Sequence, residues 1–165
     1  MGMIAYFSSA DPVTISQLKS NPDDVIKFVF PEDEDADPDN RVDLDKAWHC
    51  IHFMLTGSTY DVTQPLGGAV LGGDGVGDDL GYGPARILDP DQVRSIASAL
   101  ALIDEENFRS RYKPAEMAAA DVYLADTCVI EGDEALDYLR HNYQVLVEFY
   151  RDAAGRGDGA VLWIS

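Results

Sequence analysis

Leu44-Asp45-Lys46-Ala47-Trp48-His49-Cys50-Ile51-His52-Phe53-Met54-Leu55-Thr56-Gly57 joins an aromatic, two histidines and a run of apolar residues in one helix-like segment. Leu44, Ala47, Trp48, Ile51 and Leu55 recur at a helical period, and Cys50, Phe53 and Met54 widen the apolar arc to most of the circumference. A helix that is apolar nearly all round is packed on several sides, so the stretch predicts a central helix. Asp43 stands before it as an N-cap and Gly57 after it as a stop.

Working outward, residues 3–8 form a compact apolar run with two aromatic residues and predict a buried strand. Asp11-Pro12 pairs an N-cap with proline at the first helical position, which predicts a helix over 12–20, stopped by Asn21-Pro22. Residues 23–30 fit a helix or a strand. Residues 31–40 form an acidic loop. An EF-hand loop begun at Asp33 would place Pro38 where glycine is needed and Leu44 where the bidentate glutamate belongs, so that calcium motif fails.

C-terminal to the central helix, residues 65–84 carry eight glycines. They lack the Lys-Ser/Thr of a P-loop and the third glycine of the dinucleotide fingerprint. The stretch predicts a mobile surface loop, with Pro65 to Gly73 apolar enough to be ordered. Residues 84–88 read as a strand. Asp89-Pro90 repeats the capped-proline signal for a helix over 90–102. Asp104 caps a short helix through Phe108 and Tyr112, and Pro114 opens another. Residues 122–130 predict a connecting segment or short strand. A long helix spans about 132–154, ended by Gly155, and residues 159–164 form a final strand. Strands separated by helices predict one α/β domain over residues 1–165, helix-rich, with a small, partly parallel (mixed) sheet.

The chain has 165 residues, enough for a real core. Asp and Glu number 30 against 12 Lys and Arg, a net charge of −18. Such a charge repels nucleic-acid phosphates and anionic membranes, whose binding depends on Lys and Arg. It suits a basic protein partner. Cys50 and Cys128 make no disulfide framework and predict buried free thiols in a reducing cytosol. No basic leader segment and no run of about 18 apolar residues is visible, which gives a cytoplasmic expectation.

Several of these residues together resemble a known family. Met1-Gly2-Met3-Ile4-x-Tyr6-Phe7, then Asp45, Lys46, Trp48, His52, Leu55, Thr56 and Gly57, then Pro65-Leu66-x-x-Ala69-Val70-Leu71-Gly72, are similar to the YfbM-like family of small bacterial domains of unknown function. Val122-Tyr123-Leu124 departs from the Ile-Tyr-Pro of that pattern. The resemblance implies a three-layer α/β fold with helices on both faces. It implies no activity, cofactor or catalytic residue.

For chemistry, Trp48 and His52 sit one helical turn apart. One reading makes His52 a general base or ligand group, oriented by Asp45 and walled by Trp48, with Tyr82 and Arg86 lining the same cleft and Arg86 taking an anion. The other makes His52 a satisfied core histidine and Arg86 a partner of one of the many carboxylates. His49 and His52 lack the spacing of a zinc helix, and Cys50 between them points about 100° away, so no metal site or cofactor is expected. Gly57-Ser58-Thr59 is no nucleophile elbow. Two functional expectations follow. The first is a non-catalytic binding protein for a basic partner, such as an immunity protein against a toxin. The second is a small-molecule-binding protein or enzyme with a pocket around Asp45, Trp48, His52, Tyr82 and Arg86. The oligomeric state is left open.

Overall fold

The computed structural model describes residues 2–32, 40–63 and 65–165. Most of the acidic loop, residues 33–39, lies outside them. Strand β1 (Ala5–Ala10) and the last strand, β5 (Gly159–Ile164), pair along their full length at the centre of a five-stranded sheet. Strand β2 (Arg41–Asp43) adds to the free side of β1, and β4 (Pro84–Leu88) to the free side of β5. Strand β3 (Asp74–Asp79) forms the far edge against β4, giving the order β2-β1-β5-β4-β3.

Every pairing is antiparallel, which corrects the expected mixed sheet. Parallel pairing follows from a single crossover helix between neighbouring strands. Here β3 and β4 form a hairpin, while five helices separate β4 from β5. The helix-rich, three-layer character stands.

The sheet's pleat splits the core in two. Ala5, Phe7, Ala160, Leu162, Ile164 and Leu88 face the larger helical layer. Tyr6, Ala10, Ala85, Ile87, Val161 and Trp163 face the other side. That side is covered by α1 (Pro12–Ser20) and the short α2 (Val25–Val29), which opens from a 3₁₀ turn at Pro22–Asp24. Asp11 caps α1 as its sequence predicts, its carboxylate accepting the Val13 and Thr14 N–H groups at 2.9 and 3.0 Å.

The larger layer begins with a 3₁₀ turn at Asp45–Ala47 that leads into α3 (Trp48–Thr56). Asp43 stands one residue earlier than a standard cap, its carboxylate accepting the Asp45 N–H at 2.9 Å. Gly57, with φ +71°, closes α3. There follow α4 (Pro65–Leu71), α5 (Pro90–Leu100), α6 (Glu105–Ser110), α7 (Pro114–Ala119), α8 (Ala125–Glu131) and the long α9 (Asp133–Arg156).

Three expectations change. The glycine-rich stretch is a helix and a hairpin rather than a loop. A Cβ on Gly67 would lie 2.3 Å from the Asp61 carbonyl oxygen, and one on Gly72 would lie 2.5 Å from the Gly68 Cα. These glycines therefore permit close packing. Residues 125–131 are helical rather than extended. Finally, α9 runs past Gly155 and stops at Gly157, which takes the left-handed conformation at φ +76°.

Candidate functional site

Helix α3 carries both buried histidines, and they are treated in opposite ways. His49 Nδ1 accepts the Tyr123 N–H at 2.9 Å, which leaves the proton on Nε2 to be donated to the Thr59 carbonyl at 3.0 Å. Its ring stacks on Trp48 with centroids 4.8 Å apart, and Tyr60 tilts against its other side at 5.2 Å. Burial holds its pKa below the ordinary value. His49 is thus the satisfied core histidine that the sequence reading assigned to His52.

His52 is 0 % exposed, and neither of its ring nitrogens has a hydrogen-bond partner among the described residues. Burial pushes its pKa down to about 4, helped by the neighbouring His49 and the positive charge of Arg86 and opposed by Asp61. At neutral pH it is an uncharged imidazole.

The five residues expected to share a pocket are placed in four locations. Asp45 accepts the Tyr138 hydroxyl at 2.9 Å, so it orients Tyr138 rather than His52. It holds a left-handed backbone at φ +45°. Trp48 donates its indole N–H to the Met3 carbonyl at 3.1 Å and packs against His49 and Tyr123. Arg86 reaches from β4 to the C-terminal end of α4, donating to the Val70 and Gly72 carbonyls at 3.2 and 3.3 Å. A cation there satisfies orphan carbonyls and matches the negative end of the helix. Tyr150 assists it, donating its buried hydroxyl to the Ala69 carbonyl at 2.7 Å. Tyr82 stands half exposed on the turn between β3 and β4. Only His52 and Arg86 remain electrostatic neighbours.

Open space lies elsewhere. A cavity of about 480 Å³ runs between α4, α5 and the start of β3, past Gly68, Gly72, Asp74 and Ser95. Another of about 360 Å³ opens along α9 between Glu105, Arg140, Tyr143 and Arg151. On the thin side of the sheet, Pro22, Asp23, Val25, Ile26, Asp78 and Leu80 line a groove of about 230 Å³ between α2 and the β3–β4 hairpin. None of the three is lined by Asp45, Trp48, His52, Tyr82 or Arg86. The sequence reading passed over the Asp23–Asp78 groove. Its signal, Pro22-Asp23-Asp24 beside an exposed Ile26, gained meaning only once β3 was brought alongside.

No three His, Cys, Asp or Glu side chains among the described residues are grouped to hold a metal ion, and no described helix is long and apolar enough to cross a membrane. Fold and site together define a helix-rich α/β domain whose buried polar groups mostly serve packing. The chain belongs to the family described as Domain of unknown function (DUF1877), matched over residues 1–163. It is similar to Protein YfbM of Escherichia coli strain K12, 28% identical over 166 residues that cover 98% of this chain and 97% of that one. The crystal structure of YfbM, a protein of unknown function from Escherichia coli, matches with a TM-score of 0.74 at 22% identity, over 98% of this chain and 99% of that one. At that identity the likeness speaks for the fold.

Proposed function

We propose that the protein is a non-catalytic binding domain whose acidic surface receives a basic protein, such as a toxin that it would neutralise. The observation that carries this reading is the groove between α2 and the β3–β4 hairpin. Asp23 and Asp78 supply carboxylates, while Pro22, Ile26 and Leu80 supply an apolar floor. A lysine or arginine side chain has this character, an aliphatic stem with a cationic head. Asp23 and Asp78 line the groove, and their chain neighbours Asp24 and Asp79 are exposed beside them. Tyr82, 51 % exposed at the hairpin turn, offers the kind of aromatic anchor that interfaces favour. The net charge of −18 adds long-range attraction for a basic partner and speeds encounter.

The test is calorimetric titration with an arginine-rich peptide at low salt, using the wild type and the double variant D23N/D78N. The reading expects the double variant to bind about tenfold more weakly, or about 1.4 kcal/mol. Equal affinity in the two proteins would sink it.

A second reading has one observation in its favour. A buried histidine normally finds a partner, and His52 has none among the described residues. In this reading a small molecule that enters on opening of the α3–α4 contact takes up its ring nitrogens, with Arg86 near. Asp45, Trp48 and Tyr82 have no part in it, since each is engaged or placed elsewhere. NMR titration of the His52 ring with a metabolite mixture tests it, and a ring that stays silent to every component removes it.

A further inference from the structure

The two cysteines are not separate core residues. Cys50 on α3 and Cys128 on α8 are 78 positions apart in sequence, yet their sulfurs stand 3.7 Å apart in the interior. The Cys50 thiol also donates to the Tyr123 carbonyl at 3.3 Å. Both residues are buried free thiols. A disulfide needs sulfurs about 2.05 Å apart, so the pair stands in contact, short of a bond.

The element that carries Cys128 is lightly held. Helix α8 buries only Ala125 and Cys128. Its outer side leaves Val129 and Ile130 exposed. It is entered through Leu124, a non-glycine residue at φ +72°, and left through Gly132 at φ +56°. Tyr112 pins its end, donating its hydroxyl to the Cys128 and Gly132 carbonyls at 3.0 and 2.9 Å. Short segments with few buried contacts open locally without global unfolding, and a small oxidant needs only a small opening.

We propose that Cys50 and Cys128 form a dithiol–disulfide pair, oxidised within the fold by hydrogen peroxide, so that α8 becomes covalently tied to α3. The hydrogen bond between the sulfurs holds the Cys128 thiol below its ordinary range and pushes the Cys50 thiol above it. Cys128 lies on the segment that opens, so a small oxidant reaches it first, while Cys50 is held on α3 by its bond to the Tyr123 carbonyl. The geometry therefore assigns Cys128 as the attacking thiolate and Cys50 as the resolving thiol. The Cys128 sulfur attacks one peroxide oxygen, the O–O bond breaks, and a sulfenic acid and hydroxide form. The Cys50 sulfur then attacks the Cys128 sulfur, the S–O bond breaks, and the hydroxyl leaves as water with the Cys50 proton. In sum, two thiols and one peroxide give one disulfide and two waters. The sulfurs lose two electrons and the peroxide gains them.

The test treats the reduced full chain with a small excess of hydrogen peroxide, quenches with catalase, unfolds the protein in N-ethylmaleimide and reads its intact mass. The expected product is a monomer lighter by two hydrogens and free of maleimide, which yields one peptide joining the Cys50 and Cys128 segments and returns to two free thiols with dithiothreitol. Two maleimide adducts, oxygen added without a cross-link, or a disulfide-linked dimer would each overturn the proposal. In Cys50→Ser, confirmed folded by circular dichroism, dimedone is expected to trap a sulfenic acid at Cys128. Its absence there, with dimedone on Cys50 in Cys128→Ser instead, overturns the assignment of roles.

Discussion

The two faces of the sheet are finished in opposite ways. On one face seven helices bury Phe7, Leu162 and Ile164 together with both buried histidines and both cysteines. On the other, α1 and α2 cover a much smaller core built on Ile15, Val29, Ile87 and Trp163, and leave an acidic groove beside β3. The thick side buries its histidines and cysteines away from the cavities beside α5 and α9. The thin side has few such residues, and its groove is lined by the Asp23 and Asp78 carboxylates. The proposed recognition of a basic partner rests on that contrast.

The two cores differ most in how rigidly they are enclosed. Phe7→Ala, on the thick face, is expected to lower unfolding stability by about 4 kcal/mol, because it leaves a large cavity among rigid helices. Ile15→Ala, on the thin face, should cost about 2 kcal/mol, since a two-helix cover can settle into the space. Urea denaturation measures both, and equal losses would show that the two layers are equally rigid.

The next effect concerns acid. His52 titrates near 4 in the folded protein, against about 6.5 when unfolded. A histidine with a depressed folded pKa leaves the unfolded chain binding more protons between those values. Its contribution is complete above about pH 6.5 and is lost as the pH falls toward 4, for a total of about 3 kcal/mol. His52→Leu is expected to remove that part of the acid sensitivity, seen as a shallower fall in stability from pH 7 to pH 4. An unchanged pH profile would mean that solvent reaches the ring.

A smaller loss is expected from the other histidine at neutral pH. His49→Leu strands the Thr59 carbonyl and the Tyr123 N–H, at a cost of about 2 kcal/mol. His52→Leu at pH 7 strands nothing and should be close to neutral in the same thermal melts. The smallest effect belongs to the thin face. Asp78→Asn should change stability by no more than about 0.5 kcal/mol, as exposed substitutions generally do, while weakening binding of an arginine-rich peptide.

How far the fold could be read from sequence depended on whether the signal was local. Asp11-Pro12, Asp89-Pro90 and Gly57 marked helix ends correctly because capping and left-handed termination involve only neighbouring residues. The strands at 84–88 and 159–164 were equally plain. The glycine-rich stretch was misread because close approach of backbones, as between Gly67 and Asp61, lies in the tertiary structure. Strand β3, Asp74-Gly75-Val76-Gly77-Asp78-Asp79, has little intrinsic preference for extension and is held by pairing with β4. At the candidate site, helical spacing sets Trp48 and His52 one turn apart on a central helix, and both are buried. The reading of His52 as a satisfied core histidine fits His49 instead, whose partners Thr59 and Tyr123 come from other segments and leave no mark in local spacing. The contact between Cys50 and Cys128 was equally out of reach, since it depends on how α8 docks on α3.

Under the proposed function, recognition takes place on the thin side of the sheet, at the groove lined by Asp23 and Asp78. The most direct measurement is a titration of the isotope-labelled protein with an arginine-rich peptide, followed through its backbone amide NMR signals. The account predicts that the largest shifts fall on Asp23, Val25, Ile26, Asp78 and Leu80 and fade as salt is added. Shifts concentrated on α3 and α4 around His52, or spread evenly over all the acidic surfaces, would contradict it.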